Sequence, residues 1–152
     1  MSHLIRTPEE LSKLKEKLKG SLVATNGCFD ILHVGHVRYL QKAKAQGDYL
    51  IIGVNSDESV KKLKGPKRPI NKQEDRAEIL SALKCVDFTF VFNGQTADEF
   101  LHLAKPDIYV KGGDYDLEKL PEKKTLEEIN CTVVFVKFES GYSTTETIER
   151  AC

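Results

Sequence analysis

Five short apolar runs, separated by helical segments, constrain the fold of this chain more than any other feature. The runs cover residues 22–25, 49–54, 88–92, 108–110 and 132–136. The second is apolar throughout apart from one glycine, which is typical of a strand covered on both faces in a parallel sheet. Because parallel strands are joined by helical crossovers, the alternation predicts an α/β, Rossmann-like fold: an open, mostly parallel five-stranded sheet with helices on both faces.

Helix-capping patterns fall between these runs. Thr7 and Pro8 fit the cap and first position of an opening helix that ends at Gly20. A second helix is predicted over about 34–45, with Val34 facing inward. Capping boxes, in which a side chain binds a backbone N–H three residues further on, are predicted at Asn71, Thr96 and Ser143, and a further helix begins at Thr125.

The longest irregular stretches are about 61–70 and 111–121. Loops of that length in a compact domain are often functional. No repeat or linker divides the chain, so we expect one domain over 1–152, with residues 1–20 as an N-terminal helix leading into it.

Composition excludes several classes of protein. Lys plus Arg and Asp plus Glu both number 23, so the chain as a whole lacks the basic field that binds long nucleic acid. The four cysteines are isolated and no long apolar run or signal peptide is found, which favours a reducing, cytoplasmic location without membrane association.

The first apolar run leads into Asn-Gly-Cys-Phe-Asp-Ile-Leu-His-Val-Gly-His at 26–36. His33 and His36 share one face of a helical turn, and Gly35 between them admits a closely approaching group. The start of that helix adds partial positive charge, so the pattern favours a polyphosphate site. Two ordinary polar residues in a first turn are the alternative, and a zinc site lacks further ligands at suitable spacing.

This segment resembles the signature of the HxGH nucleotidyltransferases, in particular their cytidylyltransferase-like branch, G-x-F-D-x-x-H-x-G-H. The matching residues are Gly27, Phe29, Asp30, His33, Gly35 and His36. The resemblance covers about 22–150, and segments 26–30, 53–57, 74–76, 111–115 and 141–145 are similar to those of the heptose 1-phosphate adenylyltransferases in that branch.

The resemblance implies an adenylyltransferase that joins ATP to a sugar 1-phosphate, D-glycero-D-manno-heptose 1-phosphate, and releases pyrophosphate. Mg²⁺ would be bound through the triphosphate rather than directly by the protein, and the chain would form a homodimer. The acceptor phosphate is already anionic, so the reaction needs placement and charge stabilisation rather than a general base.

The resemblance also implies roles for individual residues. His33, His36 and Lys64 would be catalytic, the histidines by hydrogen bonding to phosphate. Nucleotide contacts would come from Asn26, Gly27, Cys28, Phe29, Asp30, Gly35, Lys111, Gly113, Asp114, Tyr142, Ser143 and Thr144. Lys61, Lys62 and Arg76 would contact the acceptor, with Arg76 either holding phosphate or ordering the site.

Other interpretations remain open at this point. The five cations in 61–68 also fit a solvated loop, Ser143 an ordinary helix cap, and the glycines at 112–113 a simple turn. A CTP-dependent enzyme acting on glycerol 3-phosphate is an alternative, although such enzymes carry Arg-Thr-Glu-Gly-Ile-Ser-Thr where this chain has Phe-Glu-Ser-Gly-Tyr-Ser-Thr at 138–144. A flavin-type adenylyltransferase and a non-catalytic nucleotide-binding module are further alternatives.

Overall fold

The computed structural model describes residues 3–113, 116–137 and 141–151. Its strands are β1 (His3–Ile5), β2 (Leu22–Gly27), β3 (Tyr49–Asn55), β4 (Phe88–Phe92), β5 (Ile108–Gly112) and β6 (Thr132–Val136). These form one parallel sheet of six strands in the order β1-β4-β3-β2-β5-β6. The α/β fold class is confirmed.

The strand count is corrected from five to six by β1. This strand has three residues and pairs only with β4 among the described strands, with His3 opposite Phe88. A run this short carries no periodicity of its own, so its extended conformation depends on a partner strand that lies 85 residues away.

Helices connect the strands and cover both faces of the sheet. They are α1 (Pro8–Lys17), α2 (Val34–Lys44), α3 (Asp57–Lys64), α4 (Gln73–Ser81), α5 (Asp98–Ala104), α6 (Lys123–Glu128) and α7 (Thr144–Ala151), with a 3₁₀ turn at Leu117–Lys119. Among the described helices, none combines the length and apolar character that a membrane crossing requires.

The hydrophobic core consists of two layers separated by the sheet. Successive residues of β3 alternate between them: Ile51 belongs to one layer, and Leu50 and Ile52 belong to the other. Helices α1, α5 and α6 pack into the layer of Ile51, and α2 and α4 pack into the opposite layer. All three side chains are fully buried, as predicted for a strand covered on both faces.

Two predicted helix caps are confirmed. The Thr7 hydroxyl accepts the backbone N–H of Glu10 at 3.1 Å, and α1 then ends at Lys17, three residues before the predicted end at Gly20. The Ser143 hydroxyl accepts the N–H of Glu146 at 3.0 Å at the start of α7. Each bond satisfies a backbone donor that the first turn leaves without a helical partner.

The other two predicted capping boxes are wrong. Helix α4 begins behind Lys72 without a side-chain cap, because the Asn71 amide instead donates to the backbone oxygen of Asp30 at 2.7 Å. Thr96 precedes α5 and donates to the carboxylate of Asp98, the first residue of that helix. The residue at the cap position of α5 is Ala97, so no side chain caps it. In both segments a tertiary or local side-chain partner displaces the expected cap.

Three further expectations need correction. Residues 57–64 form α3, capped by the Ser56 hydroxyl, so the stretch predicted as irregular over 61–70 is helical over 61–64. Val34 is 40% exposed rather than inward-facing. The helix predicted from Thr125 begins two residues earlier.

The strand order determines which loops meet. The carboxyl ends of parallel strands lie at one edge of the sheet, and ligands gather there where the direction of the connections reverses. Here that point lies between β2 and β5. Loops after β5 and β6 therefore lie on one side of β2, and loops after β3 and β4 lie on the other.

Candidate active site

An open cavity of about 680 Å³ lies along this edge of the sheet. Its wall contains the predicted residues Asn26, Gly27, Cys28, Phe29, Asp30, His33, Gly35, His36, Lys64, Lys111, Tyr142, Ser143 and Thr144. Lys61, Lys62, Arg76 and Gly113 are not part of the wall. Asp114 lies outside the described residues.

His33 and His36 hold each other at the start of α2. The Nδ1 atom of His33 accepts the backbone N–H of His36 at 3.3 Å, and Nδ1 of His36 accepts the N–H of His33 at 3.4 Å. The two rings stack with their centroids 3.8 Å apart. A neutral imidazole whose Nδ1 accepts carries its proton on Nε2, so this reciprocal cap makes both rings Nε2–H donors.

Burial keeps both imidazoles neutral near pH 7. It lowers the pKa of His36 to about 4, with a further contribution from the neighbouring His33. The pKa of His33 is also lowered, first by burial and then by the charge of Arg150. The Nε2 atom of His33 is buried and has no hydrogen-bond partner among the described residues. An unpaired buried donor beside a cavity is suited to a ligand oxygen.

Gly35 allows the segment before α7 to approach the histidine pair. A Cβ atom at this position would lie 2.8 Å from the Cβ of Tyr142 and 2.9 Å from Nδ1 of His33. The Tyr142 ring stacks on His33, with the centroids 6.1 Å apart, and the Arg38 guanidinium lies 5.9 Å from the Tyr142 centroid. A larger residue than glycine would therefore push Tyr142 away from His33.

The start of α7 forms the adjacent wall. Thr144 donates a hydrogen bond to the backbone oxygen of Ile31 at 3.2 Å, which joins α7 to the loop between β2 and α2. Ser143 caps the helix, as described above, and both residues line the cavity. Two helix starts, those of α2 and α7, thus border the same space, where their partial positive charges favour an anion.

Phe29 packs against the ring of His36. Its backbone is in the left-handed region, with φ of +47°, and its side chain is buried. The ring meets His36 edge-on, with 5.3 Å between centroids, and a Cβ atom at Gly27 would lie 2.9 Å from the Phe29 ring. Gly27 and Phe29 therefore help to position the histidine ring.

The Asp30 carboxylate is already occupied. It accepts Nε of Arg68 at 2.7 Å and the backbone N–H groups of Ile70 and Asn71, each at 2.9 Å. Burial alone would raise the pKa of Asp30, but the hydrogen bonds of Asn71, Ile70 and Arg68 lower it below its ordinary value. Asp30 thus anchors the segment between α3 and α4.

A directly bound metal does not fit the described part of the cavity. Its only described carboxylates are Asp30, which already accepts these donors, and Glu122. No group of three or more His, Cys, Asp or Glu side chains in the described residues is arranged to hold a metal ion. Hard divalent cations need several oxygen ligands, so Mg²⁺ at this site would depend on oxygens of a bound phosphate chain.

Arg76 orders the site from within the protein. Its side chain is buried and donates to the backbone oxygen of Cys28 at 2.6 Å, to that of Asn71 at 2.9 Å and to the Asp57 carboxylate at 2.9 Å. These bonds join the loop after β2 to the starts of α3 and α4. Of the two predicted roles of Arg76, ordering the site is the one its contacts fit, and direct contact with an acceptor is not.

Of the three lysines predicted as functional in 61–64, the structure brings Lys64 to the cavity. It is the last residue of α3. Lys62 lies elsewhere on the helix surface, with its Nζ 3.3 Å from the Glu58 carboxylate, and Lys61 is exposed outside the cavity wall. The prediction of functional contacts for all three assumed an irregular segment, whereas a helix turns successive side chains in different directions.

The end of β5 supplies the opposite side of the cavity. Lys111 and Gly112 line it. Gly113 has φ of +104°, and its N–H donates to the backbone oxygen of Val136 at 2.8 Å, which joins the ends of β5 and β6. Gly113 thus shapes the turn, and the nucleotide contacts expected of this loop stay a prediction.

Several residues of the wall escaped the sequence analysis. Asn55 ends β3, so the rule that ligands bind at strand ends could have found it. Gln95 and Glu122 lie in irregular segments whose position depends on packing, and no local pattern marks them. The other unpredicted residues of the wall are Tyr39, Leu63, Arg68, Gly112, Pro121 and Thr145.

The fold and the site define a Rossmann-like α/β protein with two paired histidines beside a cavity that is suited to an anion. The chain belongs to the cytidylyltransferase-like family, whose sequence profile matches residues 24–150. Family and site together class it as a nucleotidyltransferase.

The chain is similar to proteins described as bifunctional protein HldE. It is 50% identical to that of Aliarcobacter butzleri over 149 residues, which is 96% of this chain and 30% of the relative. It is 48% identical to that of Helicobacter pylori over 142 residues, which is 93% of this chain and 30% of the relative. The chain therefore spans about 30% of the length of these curated relatives.

Two solved structures are also similar. The lipopolysaccharide core biosynthesis protein of Thermoplasma volcanium has a TM-score of 0.64 and 32% identity, covering 82% of this chain and 99% of that one. Pantoate-beta-alanine ligase of Francisella tularensis has a TM-score of 0.69 at 15% identity, covering 97% of this chain and 73% of that one. The second likeness concerns the fold alone.

Proposed function

We propose that this chain transfers AMP from ATP to a sugar 1-phosphate, D-glycero-D-manno-heptose 1-phosphate, and forms ADP-heptose and pyrophosphate. The observation that carries the proposal is the reciprocal cap of His33 and His36, which leaves two neutral Nε2–H donors at the cavity. Donors of this kind stabilise negative charge that develops on phosphate oxygens, and they need no change of protonation to do so.

In the proposed reaction an oxygen of the acceptor phosphate attacks the α-phosphorus of ATP. The bond from that phosphorus to the bridging oxygen breaks, and pyrophosphate leaves with the electron pair. Because the attacking oxygen is already anionic, no side chain has to remove a proton. The protein's tasks are to align two anions that repel each other and to stabilise the charge of the transition state.

The described residues divide these tasks by position. His33 and His36 would donate to the phosphate chain, next to the starts of α2 and α7. Lys64 enters the same cavity from α3 and would offset the charge of the two phosphates as they approach. Mg²⁺ would bind through the triphosphate and add positive charge there, since Asp30 is already occupied by its own donors.

The choice of acceptor is supported by the comparisons rather than by contacts. Sequence identity of about 50% to the HldE proteins extends over nearly the whole chain. A lipopolysaccharide core biosynthesis protein shares both fold and 32% identity. These likenesses favour a sugar phosphate over glycerol 3-phosphate. They agree with the sequence segments that are similar to those of heptose 1-phosphate adenylyltransferases.

The test is a release assay for pyrophosphate with the purified chain and Mg²⁺. ATP and CTP are each supplied with heptose 1-phosphate or with glycerol 3-phosphate, four combinations in all. We expect turnover with ATP and heptose 1-phosphate, and product of the mass of ADP-heptose. Turnover only with CTP and glycerol 3-phosphate would replace the proposal by the cytidylyltransferase alternative. Tight ATP binding without release in any combination would indicate a non-catalytic nucleotide-binding module.

A further inference from the structure

Glu122 is a buried carboxylate in the cavity wall, and only one of its two oxygens accepts a hydrogen bond from the described residues. The residue is 2% exposed, and its Oε1 atom accepts the backbone N–H of Ala97 at 3.2 Å. Its Oε2 atom is buried and has no hydrogen-bond partner among the described residues. A buried carboxylate oxygen without a donor is costly, which indicates that a ligand supplies the missing donor.

The chemistry of Glu122 excludes phosphate as its partner. A phosphate oxygen at neutral pH is an acceptor, and its charge would be repelled by the carboxylate. The group that Glu122 binds must therefore carry an O–H or N–H. In the proposed reaction the sugar hydroxyls of the acceptor and the amino group of the base are the two candidates.

The topology favours the sugar. The bond to Ala97 holds the Glu122 carboxyl group beside the segment that follows β4, which also brings Gln95 into the wall. In the sheet β4 lies two strands from β2, on the side opposite β5 and β6. Gln95 therefore borders the cavity on the side of β2 opposite the segment after β6, which carries Ser143 and Thr144.

The neighbouring wall also suits a polyol. Asn26 lines the cavity, and its side-chain oxygen accepts the hydroxyl proton of Tyr109, which leaves the amide N–H₂ as its remaining polar group. Gln95 adds an amide with both donor and acceptor character. One carboxylate and two amides together match hydroxyl groups, each of which both donates and accepts.

We propose that Glu122, with Gln95 and Asn26, binds the hydroxyl groups of the sugar acceptor and so selects a sugar phosphate. This inference rests on the proposed function, because it assigns the acceptor half of the same cavity. It assigns Glu122 a role in binding the acceptor and none in binding ATP.

The test uses the Glu122→Gln variant, because the glutamine oxygen still accepts the N–H of Ala97 while an N–H₂ replaces the orphaned oxygen. KM for each substrate and kcat are measured by pyrophosphate release with ATP and heptose 1-phosphate. We expect KM for the sugar phosphate to rise about tenfold or more, with KM for ATP within about twofold of the unchanged chain. Glu99→Gln, an exposed position on α5 outside the cavity wall, is the matched control and should change neither constant.

The outcomes separate the two proposals. In one outcome the unchanged chain is active and the Glu122→Gln variant keeps its KM for the sugar phosphate; in another the variant shows a raised KM for ATP instead. Either result would overturn this inference alone. An unchanged chain that is inactive with sugar phosphates would overturn the proposed function, and this inference with it. Thermal unfolding verifies that the variant is folded. If it is not, Gln95→Ala at an exposed position of the same wall replaces it, with an expected rise of about threefold in the same KM.

Discussion

Two pairs of polar residues lie in or behind the cavity wall, and they differ in how much of their hydrogen-bonding capacity is already used inside the protein. The Nδ1 atoms of His33 and His36 each accept the backbone N–H of the other histidine. The buried Nε2 of His33 lacks a partner in the described structure. Arg68 and Arg76 instead donate to Asp30, to Asp57 and to backbone oxygens.

The comparison shows that a positive charge near the cavity does not by itself make a side chain available to a ligand. The arginines carry full charges, but internal carboxylates and carbonyls hold them, so their main effect is on the position of the loops. The histidines are neutral, yet Nε2 of His33, beside the cavity, has no hydrogen-bond partner among the described residues. The following predictions test this division of roles, beginning with the largest effect.

Replacement of His36 by asparagine should remove the Nε2–H donor and preserve an acceptor for the N–H of His33. We expect kcat for pyrophosphate release to fall about a hundredfold or more, because a preorganised donor of this type contributes about 3–4 kcal/mol to the transition state. His102→Asn, at an exposed site on α5, is the control. Equal kcat values for the two variants would show that His36 has no part in the chemistry.

Replacement of Arg76 by methionine should act mainly on stability. The change leaves two backbone oxygens without their donor and the Asp57 carboxylate without its ion-pair partner, so we expect the free energy of unfolding to fall by about 3 kcal/mol. Urea unfolding followed by circular dichroism measures this. Arg6→Met, at an exposed position, should leave the midpoint unchanged. A stable Arg76 variant that has lost only its affinity for the acceptor would reverse the assignment.

Lys64 and Lys62 offer a matched test of the lysine positions. Lys64→Met removes a charge from the cavity wall, and we expect kcat/KM to fall about tenfold. Lys62→Met removes a charge that is paired with Glu58 at the exposed surface and should change kcat/KM less than about twofold. Similar losses in both variants would mean that α3 moves when substrate binds.

The smallest effect concerns pH. Because the pKa of His36 is about 4 in the folded chain against 6.5 for an ordinary histidine, the unfolded chain takes up a proton in that interval and the folded chain does not. Stability is therefore fully present above about pH 6.5 and falls as the pH decreases toward 4, by about 1 kcal/mol after allowance for partial exposure. Urea unfolding across this interval should show a smaller decrease for His36→Asn than for the unchanged chain.

Much of the fold could be predicted because its signals are local. The continuous apolar run in β3, the cap of Thr7 and the cap of Ser143 need only neighbours along the chain. The capping box predicted at Asn71 failed because its side chain binds the backbone of Asp30 across the fold. Strand β1 was not predicted because three residues carry no period and β4 supplies its hydrogen bonds.

The candidate site divides in the same way. The histidines and Gly35 lie within four residues of each other, so one helical turn is enough to bring them together. The positions of Lys64 and Arg76 relative to the cavity depend on the helices that carry them. Glu122 reaches the wall through a contact with a segment that is 25 residues away along the chain, and no spacing in the sequence indicates that contact.

The sequence by itself determined the alternating α/β architecture, the helix start that presents two histidines, and the family to which the chain is similar. All of these depend on interactions within a few residues, where backbone geometry leaves few choices. Only the tertiary structure decided which cations remain available to a ligand, that Asp30 is occupied and that one Glu122 oxygen at the cavity wall has no partner among the described residues. Whether a polar group is satisfied depends on partners brought close by packing, and separation along the chain does not specify them.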